Sequence, residues 1–219
     1  MKPHHKIFLT SLALLLIVLH ANCQTKMKDG RIEYASHFRD TANISVFDSM
    51  FMSKFTFLVK GNMSRTEIIG GMMGSMIQLF DSKTHDKIVF VMNDEKKEAV
   101  KIHNADKDIK GQKSPGNKFQ YLDESKIICG YKCKRAEFTN GIDTTKMYVY
   151  YTNDFAADLS PNLKYVYYDL KGYPMEFNQF ISGKELVTTI TNISFEKTDE
   201  NLYKLPDEYK MVTLPFMKK

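Results

Sequence analysis

The sequence predicts a mainly β domain: one large, strongly curved antiparallel sheet with one or two short helices. Three observations predict it. Runs of apolar residues alternate with polar ones at period two and are rich in aromatic and β-branched types, the composition that suits a pleated surface with one buried face. Turn-forming pairs fall between the runs. No fixed-period repeat and no long low-complexity tract interrupts the pattern.

The chain opens on a basic end, Met1 to Lys6, then an apolar run, Ile7 to Leu19, then Ala21-Asn22-Cys23-Gln24. That is the layout of a secretory signal peptide, and the run is shorter than the roughly 20 apolar residues that span a bilayer. Residues 1–23 are read as the signal peptide, cleaved before Gln24, and residues 24–219 as a single β domain. Anchoring as a lipoprotein at Cys23 is the weaker reading: a lipobox wants Leu three residues before the Cys and a small residue just before it, where this chain has His20 and Asn22.

Arg31 to Phe38 sets Ile32, Tyr34, Ser36 and Phe38 on one face. Thr41 to Met52 reads as a short helix. Lys54 to Lys60 places Phe55, Phe57 and Val59 together, and Lys60-Gly61-Asn62 punctuates the run. Ile68 to Met76 is apolar and Gly-rich and breaks the alternation. Asp81-Ser-Lys-Thr-His85-Asp86 reads as a polar turn between two strands. Lys87 to Asn93 lines up Ile88, Phe90 and Met92, and Glu98 to His103 alternates more briefly. Ala105 to Asn117 is a polar, exposed loop. Lys146 to Thr152 and Lys164 to Leu170, dense in Tyr and Val, read as strands, as does the β-branched run Glu185 to Phe195. Asn93-Asp94 and Ser182-Gly183 are placed as hairpin connections.

Charge narrows the partners. The chain carries 31 basic and 26 acidic residues, net +5, and the segment 1–23 holds two of those lysines and no acid. A balance so near even, with bases spread along the chain, excludes nucleic acid as the expected partner. Outside the signal segment only Cys129 and Cys133 remain, in Ile-Ile-Cys-Gly-Tyr-Lys-Cys-Lys. In an exported domain the leading reading is a disulfide closed across a turn at Gly130. Along a regular strand it could not close, since the Cα atoms would stand roughly 13 Å apart. Free thiols are the second reading and a metal pair a distant third.

No catalytic signature is present: no Gly-x-Ser-x-Gly elbow, no His-Glu-x-x-His, no phosphate loop. The chain therefore reads as a non-enzyme that needs no cofactor and no metal. Its unusual feature is a group of methionines: Met50, Met52, Met63, Met72, Met73 and Met76. Thioethers are soft and unbranched. They fill cores or lids, line adaptable apolar ligand surfaces, or bind Cu(I), and all three readings stay open.

Several segments, taken in order, resemble a family of exported Gram-negative proteins of unassigned function whose fold is related to the LolA/LolB lipoprotein carriers. They are Gly30-Arg-Ile-Glu-Tyr, Lys60-Gly-Asn-Met-Ser-Arg-Thr-Glu, Gly71-Met-Met-Gly with Leu79-Phe-Asp81, and Phe90-Val-Met-Asn-Asp-Glu-Lys-Lys97. Ile127-Ile-Cys-Gly-Tyr-Lys-Cys-Lys-Arg-Ala136, Tyr148-Val-Tyr-Tyr-Thr152 and Leu170-Lys-Gly-Tyr-Pro-Met-Glu-Phe177 complete the series. Cys129 departs from the pattern, where an aliphatic residue is commoner. The resemblance implies a half-open antiparallel barrel (a LolA/LolB-like half-barrel), apolar on its concave face and covered by helices, in the periplasm. Fold does not fix function. The expected function is a periplasmic or envelope binding or carrier protein that holds a lipid, a lipoprotein acyl chain or another hydrophobic small molecule. Phe55, Phe57, Ile88, Phe90 and Met92 are expected to form the concave wall, and Met72, Met73 and Met76 its adaptable mouth. The alternative is a non-enzymatic envelope interaction module with a filled core, a protein partner and no small-molecule ligand.

Overall fold

The alternating runs form strands, and the stretches between them supply more. A computed structural model describes residues 25–42, 44–51, 53–70, 75–92, 95–105, 117–139, 145–158, 163, 166–167 and 169–212. The segment expected to be a signal peptide, Met52, Met72, Met73, the pair Asn93-Asp94, and most of the 105–117 loop lie outside the described residues.

In chain order come β1 (Thr25–Lys26), β2 (Asp29–Phe38), a short helix α1 (Val46–Ser49), β3 (Lys54–Lys60), β4 (Met63–Ile69), β5 (Met76–Asp81), β6 (Asp86–Val91) and β7 (Glu98–Ile102). There follow β8 (Gln120–Ile128), β9 (Tyr131–Thr139), β10 (Lys146–Thr152), β11 (Phe155–Ala156), β12 (Tyr173–Ile181), β13 (Lys184–Ser194), a 3-10 turn (Glu200–Tyr203) and β14 (Lys210–Val212). Twelve strands make one open, curved sheet in the order β14-β7-β6-β5-β4-β3-β2-β13-β12-β10-β9-β8. Every pairing in it is antiparallel except β14 on β7. β1 and β11 form a separate parallel pair. The mainly β, curved antiparallel architecture expected from the sequence is the one observed.

Local chemistry explains the connections. Ser182 and Gly183 both take positive φ, 51° and 79°, the geometry of a two-residue turn whose twist matches its strands. Ile181 faces Lys184 across that turn, so the Ser182-Gly183 hairpin is where the sequence placed it. α1 starts on a capping box: the Ser45 hydroxyl accepts from the Asp48 amide at 3.1 Å, and the Asp48 carboxylate accepts from the Ser45 amide at 2.8 Å. Lys184 donates to Asp48 at 2.5 Å and ties α1 to the β12–β13 hairpin.

The same turn geometry corrects the disulfide. Cys129 and Gly130 are the two central residues of the β8–β9 hairpin, with φ of 48° and 83°, and Ile128 faces Tyr131 across it. Cys133 lies further along β9, opposite Lys126. Cys129 is an exposed free thiol and Cys133 a buried one. Each spends its S–H on a carbonyl, Cys129 on Ile190 and Cys133 on Tyr131, both at 3.4 Å. Burial pushes the Cys133 thiol up to about 11.

A second correction concerns 164–170, read as a strand. The Tyr167 amide donates to the Leu163 carbonyl at 2.9 Å, so the described residues Leu163, Val166 and Tyr167 are helical or turning and not extended. Leu163, Val166, Tyr167 and Leu170 all pack on one core cluster. Their spacing is that of a helix face, and the Tyr and Val content hid it.

The core has three parts. The largest gathers Met27, Ile32, Tyr34, Phe57 and Val59 with Ile128, Cys133, Tyr148, Tyr150, Phe155 and Tyr173. It joins strands far apart in the sheet order, which requires the sheet to curl. Register shifts in β12 against β10 and in β13 against β2 supply bends near its middle. The second cluster gathers Ala136, Phe138, Val149, Tyr151 and Phe177 around Tyr167, with Leu163, Val166 and Leu170 packed on it. The third unites Ile77, Leu79, Phe90 and Ala99 beneath Leu205 and Tyr209 of the C-terminal segment.

Candidate ligand-binding face

β3 to β7 pair with no shift of register. Side chains alternate strictly along a strand, so the register decides which residues share a face. Three rows cross one face. The first is Phe55, Ile68, Met76 and Val91. The second is Phe57, Thr66, Gln78, Val89 and Val100. The third is Val59, Ser64, Phe80, Lys87 and Ile102. Phe57 and Val59 belong to the largest core cluster, so this face turns inward. Beyond β3 its apolar members, Ile68 to Ile102, are only half-buried and join none of the three core clusters.

The opposite face of the same strands carries Ile77, Leu79, Ile88, Phe90 and Ala99. The C-terminal segment closes it. Tyr209 packs on Phe90 with ring centroids 4.7 Å apart and donates to the Val91 carbonyl at 3.0 Å. Arg65 donates to the Leu202 carbonyl at 2.8 Å.

The register therefore divides the expected wall. Phe55 and Phe57 lie on the inner face with Met76. Ile88 and Phe90 lie on the outer one, Phe90 buried under Tyr209. Met92 follows the end of β6 and is 40% exposed. Met72 and Met73 lie outside the described residues. Sequence reading missed Phe80, Lys87, Val89, Val100 and Ile102. The signal was present in Lys87-Ile-Val-Phe-Val91, where both faces of the strand are apolar.

No known protein family and no curated protein matches the chain. Among solved structures, PNGF-II in a P21 crystal form matches with a TM-score of 0.50 and 15% identity, covering 85% of this chain and 32% of that one. The C2 form of PNGF-II gives 0.48 and 13% over 85% and 31%. The chain thus spans about a third of the PNGF-II structures it matches, and the likeness is one of fold alone.

A charged network sits elsewhere, around Tyr148 and Tyr150. Glu176 is buried and accepts from Lys126 at 2.5 Å and Thr189 at 2.9 Å. Arg39 pairs with Glu185 at 2.6 Å and donates to the Tyr148 hydroxyl at 2.6 Å. Arg135 bridges Glu124 and Glu137 at 2.9 and 2.8 Å, and Tyr150 donates to Glu124. Burial, with Glu176 adding to it, pushes the Tyr148 phenol up to about 12. Each of these carboxylates already has a partner, so the network pins β2, β8, β9, β10, β12 and β13 together.

Proposed function

We propose that this domain is a non-enzymatic binding or carrier protein of the cell envelope, holding a lipid or acyl chain against the inner face of β3 to β7. The observation that carries the reading is that face: largely apolar rows continuous with the core and, beyond β3, only half-buried, on strands whose other face is closed by the protein's own C-terminal segment. Apolar surface left half-wet gains roughly 25 cal/mol for each Å² an acyl chain removes from water, before association costs. The face measures about 19 Å across its five strands at ~4.8 Å spacing, room for a chain lying across them.

Lipid extraction and mass spectrometry of the purified protein, with uptake of a fluorescent fatty acyl probe, tests this. Co-purified lipid and saturable uptake are expected. No lipid and no uptake would transfer the reading to the second candidate, an envelope interaction module. That candidate is favoured by α1 and its C-cap Met50, where Val46, Phe47 and Met50 are exposed by 80%, 51% and 40%.

A further inference from the structure

We propose that Lys87 anchors the carboxylate of a long-chain fatty acid whose hydrocarbon chain lies across the inner face of β3 to β7; this rests on the carrier reading above. Lys87 stands in an apolar setting, between Phe80 on β5 and Ile102 on β7, with Val89 two residues along its own strand. It is half-buried, and among the described residues its ammonium has no hydrogen-bond or ion-pair partner. The charges beside it in sequence do not serve it. Asp86, Lys101 and His103 alternate to the outer face and pair with one another, Asp86 to Lys101 at 2.8 Å and to His103 at 2.9 Å. Of the other partly buried lysines, Lys60, Lys126 and Lys184 are matched to Asp29, Glu176 and Asp48, and Lys97 lies over the Tyr209 ring at 5.2 Å.

A lysine stem suits such a surface, since its methylenes pack while its head seeks water. Burial nevertheless holds the Lys87 ammonium below the ordinary lysine value, with no carboxylate among the described residues to offset it. An incoming anion would supply that missing partner, and a charge-assisted hydrogen bond is the strong kind. One cation at the rim of an apolar face selects a ligand with one negative head and a greasy body. A free fatty acid has both. An acyl chain already esterified or amidated keeps the body and loses the charge, leaving Lys87 unmatched.

The test compares palmitate with methyl palmitate on the full mature chain, using wild type, Lys87→Met and Lys87→Arg. Wild type should bind palmitate about tenfold or more tightly than the ester. Lys87→Met should bring the two within about twofold, and Lys87→Arg should keep the preference. Lys87→Met should melt no lower than wild type, because a thioether there removes a partly buried charge. Equal binding of acid and ester by wild type, or a preference that survives Lys87→Met, overturns the anchor while leaving the carrier reading intact. If neither probe binds wild type, both fall together.

Discussion

Tyr34 and Tyr173 are each buried, and their hydroxyls meet at 2.8 Å. Neither phenol has water to turn to, and burial raises both far above the ordinary tyrosine range. Removing one hydroxyl orphans the other, so Tyr34→Phe should lower stability by about 1–2 kcal/mol in urea unfolding. Adding Tyr173→Phe should then do less harm than it does alone, a coupling that a double-mutant cycle reads directly. Asp48 makes the corresponding argument for charge. The hydrogen bond from Lys184, with those from Ser45, holds its carboxyl at about 2. The unfolded chain titrates near ~3.9 and so binds the proton first. The Asp48 contribution is therefore fully present above about pH 4 and fades as pH falls toward about 2. Asp48→Asn should unfold more easily than wild type near neutral pH, with the difference closing on acidification.

Elements show where sequence reading succeeds and where it stops. β2 was legible because Ile32, Tyr34 and Phe38 are buried against Arg31 and His37 on the exposed face, and β3 because Phe55, Phe57 and Val59 alternate with Lys54, Thr56 and Lys60, although both its faces are buried from Thr56 to Val59. β4, β8 and β9 carry many charged residues on partly exposed faces, and their alternation is too shallow to stand out. Leu163, Val166, Tyr167 and Leu170 were misread because Tyr and Val favour strands, while the spacing of these four residues is that of a helix face. The wall failed for a different reason. Alternation tells which residues of one strand share a face, but only register tells which faces of neighbouring strands coincide. Phe57 aligns with Val89 rather than Phe90, and a one-residue offset exchanges inside for outside. Register itself depends on close approaches such as that at Gly30, whose φ is 153° and where a Cβ would stand 2.4 Å from the Ser194 carbonyl oxygen. Gly30→Ala should lower stability by about 2 kcal/mol or more, through a clash of backbone against backbone.

For the molecule as a whole, the two faces of β6 should answer differently to the same insult. Phe90→Asp puts a carboxylate beneath Tyr209 in a closed cluster and should lower the melting temperature sharply. Val89→Asp puts it on the half-buried inner face, where water can reach it. It should remove fatty acyl probe uptake with a much smaller loss of stability. Thermal melts and probe titrations of the pair decide the matter: equal destabilisation would make the inner face ordinary core, and unaltered uptake by Val89→Asp would remove it from the binding surface.

The C-terminal segment that covers Phe90 and ends as β14 along β7 also sets a schedule for biosynthesis. A ribosome delivers residues 199–212 after every other strand of the sheet has emerged. Until then a growing chain shows the patch around Leu79 and Phe90 together with the bare hydrogen-bonding edge of β7, both invitations to self-association. Residues 199–212 are thus the ones whose docking withdraws that patch and that edge from other chains.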